Sequence, residues 1–126
     1  MKNNEVLFEL QELIKQRKEE RAEDSYTSYL FKSGLDKVLK KLGEETSETI
    51  IAAKNLEACA AQGFAVAEDK LKEALKGEVG DMLYHLVVML NILELDINEV
   101  EEVLRDRMQK QGNLKKQAES QTDKGS

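Results

Sequence analysis

Apolar residues recur at intervals of three and four along most of the chain, and no convincing stretch alternates apolar with polar residues as a strand does. The sequence contains no proline, the residue that most strongly interrupts helices. The pattern therefore predicts an all-α protein, a bundle of four to five helices.

The first predicted helix fades in the charged run 17–24, and a loop carrying Ser25, Tyr26 and Thr27 should follow it. The apolar stripe of this helix consists of Val6, Leu7, Leu10, Leu13 and Ile14.

Ser33 precedes the second helix and Asp36 lies three places later, which is the spacing of a capping box. This helix should end near Asn55. Residues 56–70 are rich in alanine and contain Gly63, so they form either a short extra helix or a connection. The sequence leaves both possibilities open.

A third long helix is expected over residues 69–95, and Asp96 with Glu99 has capping-box spacing ahead of a fourth. The apolar positions of this fourth helix are Ile97, Val100, Leu104 and Met108. The segment 115–126 lacks apolar anchors and should be a disordered tail. Residues 1–114 are accordingly expected to form a single domain.

Two carboxylates occupy positions that helical packing would bury. The seam of the second helix, in steps of three and four, is Leu35, Val38, Leu42, Glu45, Thr49, Ala52 and Leu56. The seam of the third helix is Leu71, Leu75, Glu78, Met82, His85, Met89 and Ile92. Glu48 and Asp81 lie one turn beyond these two carboxylates, and Glu44 borders Glu45.

A solvated acidic face is the simplest explanation for acidic residues in a chain that has 25 of them, but the seam positions argue against it. Burying an unpaired carboxylate is costly, and clustered carboxylates raise one another's pKa values unless a cation joins them. An all-oxygen cluster selects a hard divalent ion. The pattern therefore favours a Mg²⁺ site, in which Mn²⁺ could substitute.

Three glycines, Gly43, Gly77 and Gly80, lie beside these acidic positions inside predicted helices. Each costs about 1 kcal/mol relative to alanine in a helix. Close approach of a backbone or ligand would explain them, and so would simple tight packing.

The composition narrows the possible partners. A formal net charge of -6 argues against a nucleic-acid-binding surface, which needs a basic face. One cysteine and one histidine can form neither a disulfide framework nor a Cys/His zinc site. The amino terminus has no secretory pattern. A cytoplasmic protein is expected.

The most apolar stretch, 82–93, is too short for a membrane span, which needs about 20 residues. It is apolar around its whole circumference and needs more neighbours than a small monomer supplies. The sequence therefore predicts a homodimer that pairs through the third and fourth helices, with no membrane association.

Two segments resemble the MazG-like all-α nucleoside triphosphate pyrophosphohydrolases, which carry EExxE and ExxD helices: GEETSETIIAAKN and GEVGDMLYHLVVML. The preceding segment is similar to the phosphoribosyl-ATP pyrophosphatase family of histidine biosynthesis: SYTSYLFKSGLDKVLKKLGEE. The resemblance spans roughly residues 5–107. Thr46 and Gly80 depart from it by replacing expected alanines, and the segment 56–70 is longer than usual.

The resemblance implies Mg²⁺-dependent hydrolysis of phosphoribosyl-ATP to phosphoribosyl-AMP and pyrophosphate, the second step of histidine biosynthesis, by an oligomer. Glu48 is our candidate for the base that takes the proton of the attacking water. The residues that correspond to the catalytic, metal-binding acids are Glu44, Glu45, Glu48, Glu78 and Asp81.

Six further residues are candidates for contacts with the substrate: Ser25, Tyr26, Thr27, Lys41, Lys54 and His85. Each has a simpler alternative. The first three could cap a loop, the lysines could be solvated, and a histidine on an apolar seam is more often a hydrogen-bonded core residue.

Two other functions compete with this interpretation. A pyrophosphohydrolase that removes non-standard nucleoside triphosphates would use the same chemistry. A non-catalytic helical dimerisation module would need only the two seams, but its seam carboxylates would then be a cost without a purpose.

Overall fold

A computed structural model of the chain describes residues 5–20 and 25–125. Within these ranges all regular structure is helical, which confirms the all-α class and the upper end of the expected helix number. The five helices are α1 (Val6–Glu20), α2 (Tyr26–Ser33), α3 (Leu35–Gln62), α4 (Ala65–Ile92) and α5 (Ile97–Gly125). Among the described residues, none of these helices combines the length and apolar character that a bilayer span needs.

The first helix follows its predicted stripe only in part. Ile14 is buried, but Val6 and Leu13 remain exposed, and the polar Gln11 is buried in their place. The helix ends at Glu20, and the rest of the charged run lies outside the described residues.

Helix α2 begins inside the segment for which the sequence predicted a loop. Ser25 is its N-cap, and the Ser25 hydroxyl accepts a hydrogen bond from the backbone N–H of Ser28 at 3.3 Å. Tyr26 and Thr27 therefore lie in the first helical turn. A good N-cap residue can begin a helix earlier than apolar periodicity indicates.

The predicted capping box at the start of α3 is wrong. Ser33 is the last residue of α2, and Gly34 takes the N-cap position of α3 without a side-chain hydrogen bond. Gly34 has a φ of 95°, a backbone conformation that favours glycine. The break between the two helices therefore depends on Gly34.

Residues 56–70 form neither a separate helix nor a long connection. Residues up to Gln62 complete α3, and α4 begins at Ala65. Gly63 ends α3 in the left-handed region, with a φ of 78°, and donates its backbone N–H to the carbonyl of Ala60. Alanine-rich sequence continues a helix readily, so the single glycine marks the turn.

Helices α3 and α4 pack along each other and form the hairpin that carries the acidic residues. The seams predicted for this pair are confirmed, because none of their members is exposed: Val38 and His85 are buried, and the others are half-buried. The largest fully buried apolar side chains nearby are Ile14, Leu30, Val38, Val87 and Val88.

The chain divides into two compact units, the first ending at Leu95 and the second, which contains α5, beginning at Asp96. The Asp96 carboxylate accepts a hydrogen bond from the backbone N–H of Asn98 at 2.8 Å, so Asp96 is the N-cap of α5, and the Glu99 half of the predicted capping box stays a prediction. Helix α5 continues to Gly125, and the disordered tail expected over 115–126 stays a prediction. The single domain 1–114 stays a prediction.

Candidate active site

The structure brings together three of the five predicted acids: Glu45 on α3, and Glu78 and Asp81 on α4. One carboxylate oxygen of each lies within 4.8 Å of the other two. Glu45 and Glu78 are half-buried, as their seam positions require, and Asp81 is exposed. We call these three residues the acidic cluster.

The remaining two acids differ in their surroundings. Glu48 lies against Glu78 closely enough for their carboxyl groups to hydrogen bond. Glu44 is exposed and does not belong to the acidic cluster, and its carboxylate lies 3.8 Å from the ammonium group of Lys41. The structure therefore joins Glu48 to the acidic cluster through Glu78 and pairs Glu44 with a lysine.

The electrostatics of the cluster are centred on Glu78. Hydrogen bonding to Glu48, together with burial and the negative charges of Glu48 and Glu45, raises the pKa of Glu78 to about 7. The Oε2 atom of Glu78 is buried and has no hydrogen-bond partner among the described residues. The cluster therefore holds more negative charge and more acceptor oxygens than the surrounding protein satisfies.

This donor set fits a hard divalent cation. The ligands of Mg²⁺ lie at about 2.0–2.1 Å, so oxygens around one ion are about 3–4 Å apart, and a small closure of the cluster would reach that spacing. A cation would also supply the partner that Oε2 of Glu78 lacks and remove the repulsion that raises the pKa of Glu78.

The glycines beside the cluster are not explained by tight packing. A Cβ atom built on Gly43, Gly77 or Gly80 would meet no atom of the described residues within 4 Å. The tight-packing explanation is therefore wrong for this chain, and open space lies next to Glu44, Glu78 and Asp81.

His85 is a buried residue with both ring nitrogens engaged. Its Nδ1 lies 2.8 Å from the main-chain oxygen of Asp81, and its Nε2 lies 2.9 Å from the hydroxyl of Tyr26. Because a carbonyl only accepts, Nδ1 carries the proton, and in the neutral ring Nε2 accepts from the Tyr26 hydroxyl. His85 thus shows the hydrogen-bonded core environment that was the alternative to substrate contact.

Thr27 is buried, and its hydroxyl shares a hydrogen bond with the hydroxyl of Tyr84. Tyr26 remains 45% exposed, and its ring lies near three other aromatic groups, with centroid separations of 5.8 to 6.1 Å. These neighbours are Tyr29, Tyr84 and His85.

Sequence reasoning did not single out Tyr29 or Tyr84. Both belong to the aromatic group around Tyr26, which forms because α2 lies across α4. No periodic signal in the sequence shows which helices meet there, so these two residues could be found only in the structure.

The two candidate lysines lie on α3, each one turn from a glutamate. Lys41 is paired with Glu44, and Lys54 bonds to Glu57 on an exposed part of the helix. Such pairs contribute little to stability and are easily exchanged for other anions.

Comparisons with known proteins agree on one family. The model of the family described as phosphoribosyl-ATP pyrophosphohydrolase matches residues 7–108. A phosphoribosyl-ATP pyrophosphatase of Clostridium novyi is 42% identical, over 91% of this chain and 92% of its own. One of Clostridium acetobutylicum is 40% identical, over 93% and 94%.

A histidine biosynthesis bifunctional protein HisIE of Halalkalibacterium halodurans is 44% identical over 81% of this chain, which spans 42% of that longer relative. The family match covers most of the chain and includes both helices that carry the acidic cluster. The chain therefore belongs to the phosphoribosyl-ATP pyrophosphohydrolase family, within the MazG-like all-α superfamily.

Proposed function

We propose that this protein hydrolyses phosphoribosyl-ATP to phosphoribosyl-AMP and pyrophosphate in histidine biosynthesis, with Mg²⁺ as its cofactor. The observation that carries the proposal is the convergence of Glu45, Glu78 and Asp81 at the α3–α4 seam. Membership of the family supports this substrate, since the names of the family and of the Clostridium novyi relative specify phosphoribosyl-ATP.

Glu45, Glu78 and Asp81 would hold the divalent cation, which when bound supplies charge that polarises the phosphoryl oxygens and neutralises the leaving pyrophosphate. Glu48 would take the proton of the attacking water. Its exposure and its position beside Glu78, outside the three-residue set, support this role. Little covalent chemistry is then required of the protein.

The substrate would contact the surface between α2 and the acidic cluster. Tyr26 is half-exposed at this surface, and Ser25 lies beside it at the start of α2. Lys41 and Lys54 would exchange their glutamate partners for phosphate oxygens. His85 would act at this surface through the Tyr26 hydroxyl to which it is bonded.

A homodimer in the cytoplasm is part of the proposal. Five of the twelve residues 82–93 at the end of α4 are buried within the chain itself and five are half-buried, so this helix offers little exposed apolar surface for pairing. Helix α5 provides the better support, because it exposes a stripe of large apolar residues at helical spacing. These residues are Val100, Val103, Leu104 and Met108.

The deciding experiment measures pyrophosphate release from phosphoribosyl-ATP and from a panel of nucleoside triphosphates, each with Mg²⁺ and with a chelator. We expect phosphoribosyl-ATP to have the highest kcat/KM and the chelator to abolish turnover. Preference for an ordinary or damaged triphosphate would favour the role in removing such nucleotides. No turnover of any substrate and no binding of Mg²⁺ would favour a non-catalytic helical module.

A further inference from the structure

Two adjacent hydrogen bonds join α2 to α4. Tyr26 bonds to His85, and the next residue of α2, Thr27, bonds to the preceding residue of α4, Tyr84. Thr27 is only 8% exposed, so its hydroxyl is engaged with Tyr84 inside the protein. The Tyr84 ring meets His85 edge-on, with centroids 5.2 Å apart, which makes the two bonds one continuous contact.

Tyr26 is the member of this contact that borders the acidic cluster. Burial and the neighbouring Tyr84 raise its pKa, and the negative charges of Glu45 and Asp81 add to the effect. His85, to which the Tyr26 hydroxyl bonds, is bonded in turn to the main-chain oxygen of Asp81, so the phenol lies near the turn of α4 that carries Asp81. Its exposed ring is therefore available to a molecule bound at the cluster.

The position of Tyr26 depends on how α2 is held. Helix α2 has eight residues, too few for a stable isolated helix, and Gly34 follows it with a positive φ. Side-chain contacts with its neighbours must therefore set its place. The hydrogen bond of Thr27 lies one residue from Tyr26 and connects to α4 one residue from His85.

We propose that Thr27 and Tyr84 are positioning residues, whose shared hydrogen bond holds α2 on α4 and so keeps Tyr26 in place beside the turn of α4 that carries Asp81. This assigns a role to Tyr84 and moves Thr27 from the substrate contacts to the support of Tyr26. The catalytic consequence rests on the proposed hydrolysis of phosphoribosyl-ATP, and the structural consequence does not.

The test compares Thr27→Val, which keeps the shape of the side chain without its hydroxyl, with Thr27→Ser, which keeps the hydroxyl. Tyr84→Phe removes the partner hydroxyl and serves as a second variant. For Thr27→Val and Tyr84→Phe we expect KM for phosphoribosyl-ATP to rise about tenfold, as loss of one part-buried hydrogen bond implies, with kcat within about twofold. Thr27→Ser should remain within about twofold of the wild type.

A merely structural role would give a different result, because a smaller folded fraction lowers the apparent kcat and leaves KM unchanged. That result would overturn the proposal. Equal impairment of Thr27→Ser and Thr27→Val would overturn it too.

Amide hydrogen exchange in α2, read by mass spectrometry without substrate, gives a measurement independent of the activity. We expect the amides of α2 to exchange faster in Thr27→Val and Tyr84→Phe, but not in Thr27→Ser. Exchange in α3 and α4 should stay unchanged in all three variants. Unchanged exchange in α2 would contradict the positioning role. If the wild type does not hydrolyse phosphoribosyl-ATP, the proposed function fails, and the exchange data still decide whether this contact holds α2.

Discussion

At the scale of single residues, the carboxyl group of Glu78 is set apart by its surroundings. Hydrogen bonding to Glu48, burial and the nearby charges raise its pKa to about 7, and its Oε2 atom has no hydrogen-bond partner among the described residues. The unfolded chain relieves all of these effects. The metal-free protein should therefore lose stability as this group ionises.

The free energy of unfolding of the metal-free protein should fall as the pH rises from about 4.5 to about 7. These are the ordinary pKa of a glutamate and the raised pKa of Glu78 in the folded protein. In this window the folded state binds more protons than the unfolded state, so the free energy of unfolding decreases with pH. Glu78→Gln should flatten this dependence, measured by urea unfolding at several pH values with a chelator present. Glu73→Gln, an exposed change on the same helix, is the control, and an unchanged slope in Glu78→Gln would contradict the expectation.

Removing a carboxylate from the acidic cluster should weaken metal binding directly. Because ligand charge sets the affinity for hard cations, we expect Glu45→Gln to bind Mg²⁺ at least about tenfold more weakly in titration calorimetry. Glu57→Gln changes an exposed glutamate of the same helix and should bind as the wild type does. Equal affinities for Glu45→Gln and Glu57→Gln would exclude Glu45 as a ligand.

The sequence predicted the acidic cluster better than its surroundings. Glu45 and Glu78 interrupt apolar seams, so their helical phase was enough to place them face to face. Thr27 and Tyr84 are 57 positions apart on two different helices. The contact between these helices produces no recognisable periodicity in the sequence. Contacts of that kind depend on how α2 lies across α4, which local sequence does not determine.

At the scale of the helices, the all-α class followed from periodicity, but the short helix α2 and the helix ends did not. The end of α2 and the turn at Gly63 depend on single glycines with positive φ. Capping-box spacing occurred at both Ser33 and Asp96, yet only Asp96 forms a cap. Helix ends are decided by a few local hydrogen bonds, which many sequences satisfy equally well.

The residue Glu94, which follows the end of α4, has a strained backbone conformation that a substitution should relieve. Glu94 has a φ of 59°, and the backbone N–H of Leu95 donates to the carbonyl of Leu90 at 2.8 Å. A side chain in this conformation is unfavourable, so Glu94→Gly should raise the free energy of unfolding by about 0.5–1 kcal/mol, part of the gain being offset by added freedom in the unfolded chain. Chemical denaturation measures the change.

Glu102→Gly is the matched control for this prediction. Glu102 is exposed within α5, where glycine is expected to cost about 1 kcal/mol. Opposite signs for the two substitutions would support the assigned strain, and a loss of stability in Glu94→Gly would contradict it.

At the scale of the whole molecule, the proposed homodimer requires the exposed apolar residues of α5 to form the interface, which a substitution can test. Leu104 is 53% exposed in the chain, so Leu104→Glu should leave the protomer folded while it weakens an apolar interface. Sedimentation velocity at micromolar concentration should show dimers of the wild type and monomers of the variant. Gln109→Glu adds the same charge away from the apolar stripe and should remain dimeric, and a monomeric wild type would contradict the dimer.

The placement of Glu45 and Glu78 on the α3–α4 seam also bears on how such a protein could change during evolution. A carboxylate at a packing position is kept only while its chemistry is needed, because leucine would pack there without a charge to neutralise. A gene copy released from that need would gain stability by replacing either residue with an apolar one. The identities at these two positions should therefore distinguish working enzymes from relatives that have lost the activity.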